Sequence, residues 1–163
     1  MTCLGTVGTM ETCIDMDPSD PPGELRRLCA AVVAFAEANA LPQRTADAVE
    51  QVLEEALTNV VLYGFPGPSR APAIRVRLVR EPQRVSAVVR DTGCPFDPTA
   101  MSEAPRMFGE EGTGAGGRGI RMMRRLSDGM SYRHHDGWNE LHLEWHCPDT
   151  PADTAGSASR EKS

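Results

Sequence analysis

Three observations on this sequence predict a single α+β domain. Two long stretches carry apolar residues at helical spacing, two later stretches alternate apolar and polar residues as half-buried strands do, and a further helix with a second hairpin completes the pattern. A chain of 163 residues and 17.7 kDa buries one proper core, and two independent cores would be unusual at that size.

The elements follow in order. Glu11 to Met16 is a short strand candidate, and Asp17-Pro18-Ser19-Asp20-Pro21-Pro22 then breaks the chain and supplies a helix start. Leu25, Leu28, Cys29, Val32, Val33, Phe35 and Ala36 recur at helical spacing as far as Asn39, where the run to Pro42 ends the helix. From Arg44 to about Leu62, Val49, Leu53, Ala56, Leu57 and Val60 form one apolar stripe with charged and polar residues beside it, which marks a core helix. Gly64-Phe65-Pro66-Gly67-Pro68 stops it. Ile74 to Val79 and Val85 to Val89 alternate around the turn Glu81-Pro82-Gln83, giving an antiparallel hairpin that delivers Asp91-Thr92-Gly93 at its end. Residues 97–117, rich in glycine and without periodicity, are long for a structureless connection and read as a lid. Arg118 to Leu126 is a third helix, and Met130 to Arg133 with Trp138 to Trp145 form a closing hairpin around His134 to Gly137. Residues 1–9 are expected to be flexible, 10–147 to form the domain, and 148–163, rich in Pro, Asp, Thr, Ala and Ser, to be a disordered tail.

Composition narrows the function classes. A net charge of -6 and a pI near 5.2 argue against a nucleic-acid binder, whose affinity comes mainly from clustered Lys and Arg. The basic cluster Arg118, Arg121, Arg124 and Arg125 is local; it reads as a solvated helix face or as a group near phosphates or an acidic partner. No apolar run approaches the roughly 18 residues of a membrane span, and the start lacks a secretory pattern, so a cytoplasmic protein without a membrane partner is expected. The five cysteines lack C-x-x-C spacing, and His142 and His146, four apart on a strand, lie about 13 Å apart and too far for one ion.

Three groups of residues carry chemistry. Glu55 and Asn59 are four apart on the second helix and emerge together beside its apolar stripe. An amide oxygen suits a Mg²⁺ ion carried by phosphates, and a carboxylate one turn away can deprotonate a hydroxyl attacking phosphorus. Asp91 ends an apolar strand, where it can accept from an exocyclic amine such as adenine's, and Gly93 lets a base approach the backbone. Gly112-Thr113-Gly114-Ala115-Gly116-Gly117-Arg118-Gly119 runs into the third helix, so free N–H groups and the helix dipole can hold phosphate oxygens. Neither a dinucleotide fingerprint nor a P-loop fits: no hydrophobic strand precedes this run, and Gly-Lys-Ser/Thr is absent. Taken singly, each group also reads as a solvated border, a turn or a loop.

Their order is more specific: a helix with E-A-x-x-N, a strand ending in D-x-G-x-P-F-D, a long lid, G-G-R-G-I opening a helix, then G-x-N-x-L-x-L. From about Met10 to His146 this resembles the bacterial anti-sigma-factor serine kinases, within the superfamily of gyrase, Hsp90, histidine-kinase and MutL ATPase domains. The resemblance implies a two-layer α/β sandwich, a mixed and mostly antiparallel sheet with helices on one face, holding ATP and Mg²⁺ between helices and lid. It implies Glu55 as catalytic base, Asn59 as Mg²⁺ ligand, Asp91 as adenine-amine acceptor and Gly93 beside the base. Gly114, Gly116, Gly117, Arg118, Gly119 and Ile120 correspond to the glycine box at the phosphates. It further implies a kinase acting on a serine of an anti-anti-sigma (STAS-type) protein, a sigma factor as alternating partner, and a homodimer. A noncatalytic ATP-gated binder is the other reading. The chain departs from the family in Tyr63-Gly64-Phe65 after the asparagine, where His-Ala-Tyr or His-Gly-Tyr is usual, and in Cys94.

Overall fold

The computed structural model describes residues 10–17, 19–65, 73–100 and 115–148. The flexible start, the disordered tail and most of the expected lid fall outside the described residues.

Five strands, β1 (Met10–Met16), β2 (Ile74–Glu81), β3 (Arg84–Asp91), β4 (Gly129–His135) and β5 (Trp138–His146), make one sheet in the order β1-β2-β3-β5-β4. The resemblance implies a mixed sheet; each of the four pairings described is antiparallel. Alternation sets the faces, because successive strand side chains point to opposite sides. Ile74, Val76 and Leu78, then Val85, Ala87 and Val89, then Leu143 and Trp145 are buried on one face together with Ile14.

Three helices supply the other half of the core. In α1 (Pro21–Ala38) Asp20 caps the start by accepting from the Gly23 N–H, and the prolines at the first positions have φ preset for a helix. Leu28, Val32 and Phe35 fall on one stripe and are buried. α2 (Gln43–Tyr63) buries Val49, Val52, Leu53 and Leu57 completely, each 0% exposed. α3 (Ala115–Leu126) begins three residues before the expected Arg118, inside the glycine run, and contributes Ile120 and Met123. Its end is fixed by Ser127 Oγ donating to Met123 O at 2.7 Å and by Trp145 Nε1 donating to Leu126 O at 2.7 Å. Between β3 and α3 a short 3₁₀ turn, Pro98–Ala100, is held by Arg124, whose Nη2 donates to Pro98 O and Thr99 O.

The opposite sheet face is polar, and one carboxylate on it is buried. Glu140 is 4% exposed. Arg90 Nε lies 2.8 Å from its Oε1, Arg133 pairs with its Oε2, and His135 and His142 approach at 3.2 and 3.3 Å. Arg90 also stacks over Trp138 at 4.8 Å. Burial acts to raise the pKa of this carboxyl, but the hydrogen bonds from Arg133, His142 and His135 and the charge of Arg90 bring it down to about 2. A folded-state pKa below the unfolded value of 4.5 stabilises the fold above that pH, and the contribution disappears as pH falls toward about 2. Glu140→Gln should therefore lower stability at neutral pH by about 1–2 kcal/mol and flatten its decline in acid; urea melts of both proteins across that range measure it, and parallel declines would contradict the assignment.

Candidate functional site

The expected site residues sit where α2, α3 and the end of β3 meet. Glu55 and Asn59 lie on the flank of α2, both half-buried, whereas Glu54 is exposed. Asn59 Nδ2 is buried and has no hydrogen-bond partner among the described residues. A buried amide without a partner costs free energy unless something else satisfies it. That unmet donor fits a ligand oxygen beside α2.

α3 comes close to α2 at Gly119: a Cβ there would overlap the Glu55 carboxyl. Gly117 faces open space, where a Cβ would meet nothing within 4 Å. Gly116 lies in the first turn of α3, whose free N–H groups and positive dipole end attract anions, and no acidic residue in that turn offsets them. Arg118, Arg121 and Arg125 are exposed, while Arg124 is taken up by the 3₁₀ turn. Ile120 is 2% exposed and belongs to the core, so a ligand would meet only its backbone. Gly114 lies outside the described residues.

At the end of β3, Asp91 is buried. Its Oδ1 accepts from the Gly93 N–H at 2.8 Å and from Asn139 Nδ2 at 2.8 Å; Oδ2 accepts no hydrogen bond from the described residues. Burial raises its pKa, opposed by those two hydrogen bonds and the charge of His134. Gly93 is forced: a Cβ would stand 2.5 Å from Gly64 O and 2.9 Å from Asp91 Oδ1. Cys94 N–H donates to the same Gly64 O at 2.7 Å, and Thr92 exchanges two bonds with Ala73, so the segment after β3 is pinned to the end of α2. Cys94 itself is an exposed free thiol.

Asn139 is the residue that sequence reasoning missed. It was legible only as part of G-x-N-x-L-x-L, yet it stands opposite Asp91 on β5 and opposite His134 on β4. Its Nδ2 reaches Asp91, Gly93 O and Cys94 O, and its Oδ1 meets Tyr132 Oη at 2.7 Å and His134 Nδ1 at 2.9 Å. Asp136-Gly137, at φ 52° and 78°, is the two-residue hairpin turn that sets this register, and the Asp-Gly pair in the sequence was the signal for it.

A sandwich of helices on an antiparallel sheet, with a helix-borne Glu/Asn pair, a buried strand-end Asp and a glycine-opened helix, defines a class of ATPase domain. Residues 18–145 match the histidine kinase-like ATPase domain family, and the chain belongs to it. It is 36% identical over 93 residues to a serine/threonine-protein kinase, BtrW, of Bordetella bronchiseptica, a match covering 57% of this chain and 65% of that protein. A solved histidine kinase domain, from the blue-light activated histidine kinase EL346 of Erythrobacter litoralis, aligns at 16% identity over 77% of this chain and 60% of the other, with a TM-score of 0.47.

The Gly119 contact makes a direct test. Since the overlap falls on the flexible end of Glu55, Gly119→Ala should fold with stability within about 1 kcal/mol of the parent, alanine being the better helix former. It should nevertheless displace the Glu55 carboxyl, and ATP turnover should fall by about tenfold or more. A thermal melt with a turnover assay reads both; full turnover would contradict the contact.

Proposed function

We propose that this chain is an ATP-dependent serine/threonine protein kinase and anti-sigma regulator that phosphorylates a serine of an anti-anti-sigma (STAS-type) protein, with a sigma factor as its alternative partner. The observation that carries it is the placement of Glu55 and Asn59 on one flank of α2, with the opening of α3 beside them at Gly119. Family membership supports ATP as the nucleotide, and the kinship to a serine/threonine-protein kinase supports protein phosphorylation.

The nucleotide would supply the phosphoryl group, with Mg²⁺ neutralising charge as it transfers. In this reading Asn59 would hold the Mg²⁺ through its amide oxygen, and its buried nitrogen, without a partner among the described residues, would donate to a ligand oxygen. Asp91 accepts from the adenine amine through Oδ2, which accepts nothing from the described residues, and Gly93 leaves room for the ring. Gly114, Gly116, Gly117, Arg118, Gly119 and the backbone of Ile120 surround the phosphates. Glu55 would take the proton of the substrate serine as the serine oxygen attacks the γ-phosphorus and the bond from that phosphorus to the bridging oxygen breaks, releasing ADP. A cytoplasmic location and a homodimer belong to the same reading; among the described residues no helix is long and apolar enough to cross a membrane.

The test is phosphoryl transfer from labelled ATP to a partner protein purified with this chain from its own cells. Glu55→Ala should reduce serine phosphorylation by about 100-fold or more, the usual scale for a lost general base, while ATP affinity stays within a few-fold. Unchanged transfer would remove Glu55 from its role. ATP-dependent capture of the partner with no phosphoserine would favour a noncatalytic, ATP-gated binder.

A further inference from the structure

We propose that Tyr132 and His134, on the edge strand β4, are positioning residues for nucleobase selection: by fixing the amide of Asn139 they hold Asp91 so that one carboxylate oxygen is presented to a purine amine. The inference rests on the ATP reading above and deepens it.

The amide of Asn139 can stand only one way round. Its Nδ2 faces three oxygens, Asp91 Oδ1 at 2.8 Å, Gly93 O at 3.2 Å and Cys94 O at 3.3 Å. An ionised carboxylate and two carbonyls can only accept, so the nitrogen must occupy that side. Asn139 Oδ1 is therefore left to Tyr132 Oη at 2.7 Å and His134 Nδ1 at 2.9 Å, and both must donate. This requires His134 to carry its proton on Nδ1.

The consequence falls on Asp91. Its Oδ1 is held by the Gly93 N–H and by Asn139, while Oδ2 accepts nothing from the described residues. A carboxylate held in this way offers a fixed acceptor. A purine amine can donate to it, whereas a 6-oxo group sets lone pairs against lone pairs and leaves the acceptor unpaired. Without the two β4 donors, Asn139 Oδ1 turns to water; the amide nitrogen still faces its three acceptors, but the side chain is restrained from one side only and its bond to Asp91 loosens. Selection between amine and oxo purines then relaxes, although no atom that touches the base has been removed.

The experiment compares ATP with inosine triphosphate, which carries oxygen in place of the amine, by calorimetric titration with Mg²⁺ on the full chain. The parent should prefer ATP by about tenfold or more. In Tyr132→Phe/His134→Leu the preference should shrink by about tenfold through loss of ATP affinity, with inosine triphosphate binding within about threefold of the parent. His134→Gln, whose amide can still donate to Asn139 Oδ1, should restore most of the preference when paired with native Tyr132. If the double variant does not fold, Tyr132→Phe alone should narrow the same ratio, and ¹⁵N spectra of the parent should find His134 protonated on Nδ1. A parent that discriminates while the variants keep its ratio, or a His134 protonated only on Nε2, overturns the inference and leaves the ATP reading standing. A parent that binds both equally overturns the inference and the role of Asp91 in it, and a parent that binds neither overturns the ATP reading as well.

Discussion

The backbone at Gly93 lies against the carbonyl of Gly64, and both halves of the site depend on that approach. A Cβ at 93 would stand 2.5 Å from this oxygen, and the next N–H, from Cys94, donates to it at 2.7 Å. The contact joins the end of β3 to the end of α2 through rigid backbone. A side chain could yield there; a carbonyl cannot. Asp91 is thereby set at a constant distance from the helix that carries Glu55 and Asn59, which positions a strand-borne carboxylate and a helix-borne pair around one space.

α2 must serve two purposes at once. Its buried face holds Val49, Val52, Leu53 and Leu57 at 0% exposure, so the helix cannot rotate without exposing a stripe worth roughly 1.5–3 kcal/mol per side chain. That same stripe fixes the direction of Glu55 and Asn59, and leaves the Asn59 nitrogen buried and without a partner among the described residues. Core packing thus holds the amide in place despite its missing partner, as expected where a structure retains a local cost for function.

Much of this was legible in the sequence because it depends on local periodicity. The stripe of α2, the alternation of β2 and β3, and the position of Asp91 at a strand end follow from spacing alone. Glu55 and not Glu54 was identifiable as the partner of Asn59 because only it lies one turn away, and the structure leaves Glu54 exposed. The start of α3 at Ala115 was not legible, since glycines disfavour helix by about 1 kcal/mol each and only packing against α2 overrides that preference. Nor was the role of Asn139, which depends on a pairing with Asp91 across 48 positions of chain. Nor was the burial of Glu140 under Arg90, Arg133 and two histidines, which arises only once β3, β4 and β5 are in register.

In the proposed function the nucleotide occupies the space between α2, the opening of α3 and the segment after Asp91. A backbone and side-chain amide titration by NMR with Mg²⁺ and a non-hydrolysable ATP analogue tests it most directly. The account predicts the largest shifts at Gly93, Cys94, Gly117 and Gly119 and at the side-chain amides of Asn59 and Asn139, with the sheet face around Glu140 unmoved. Shifts centred on Glu140, Arg90 and Trp138, or none at saturating nucleotide, would contradict it.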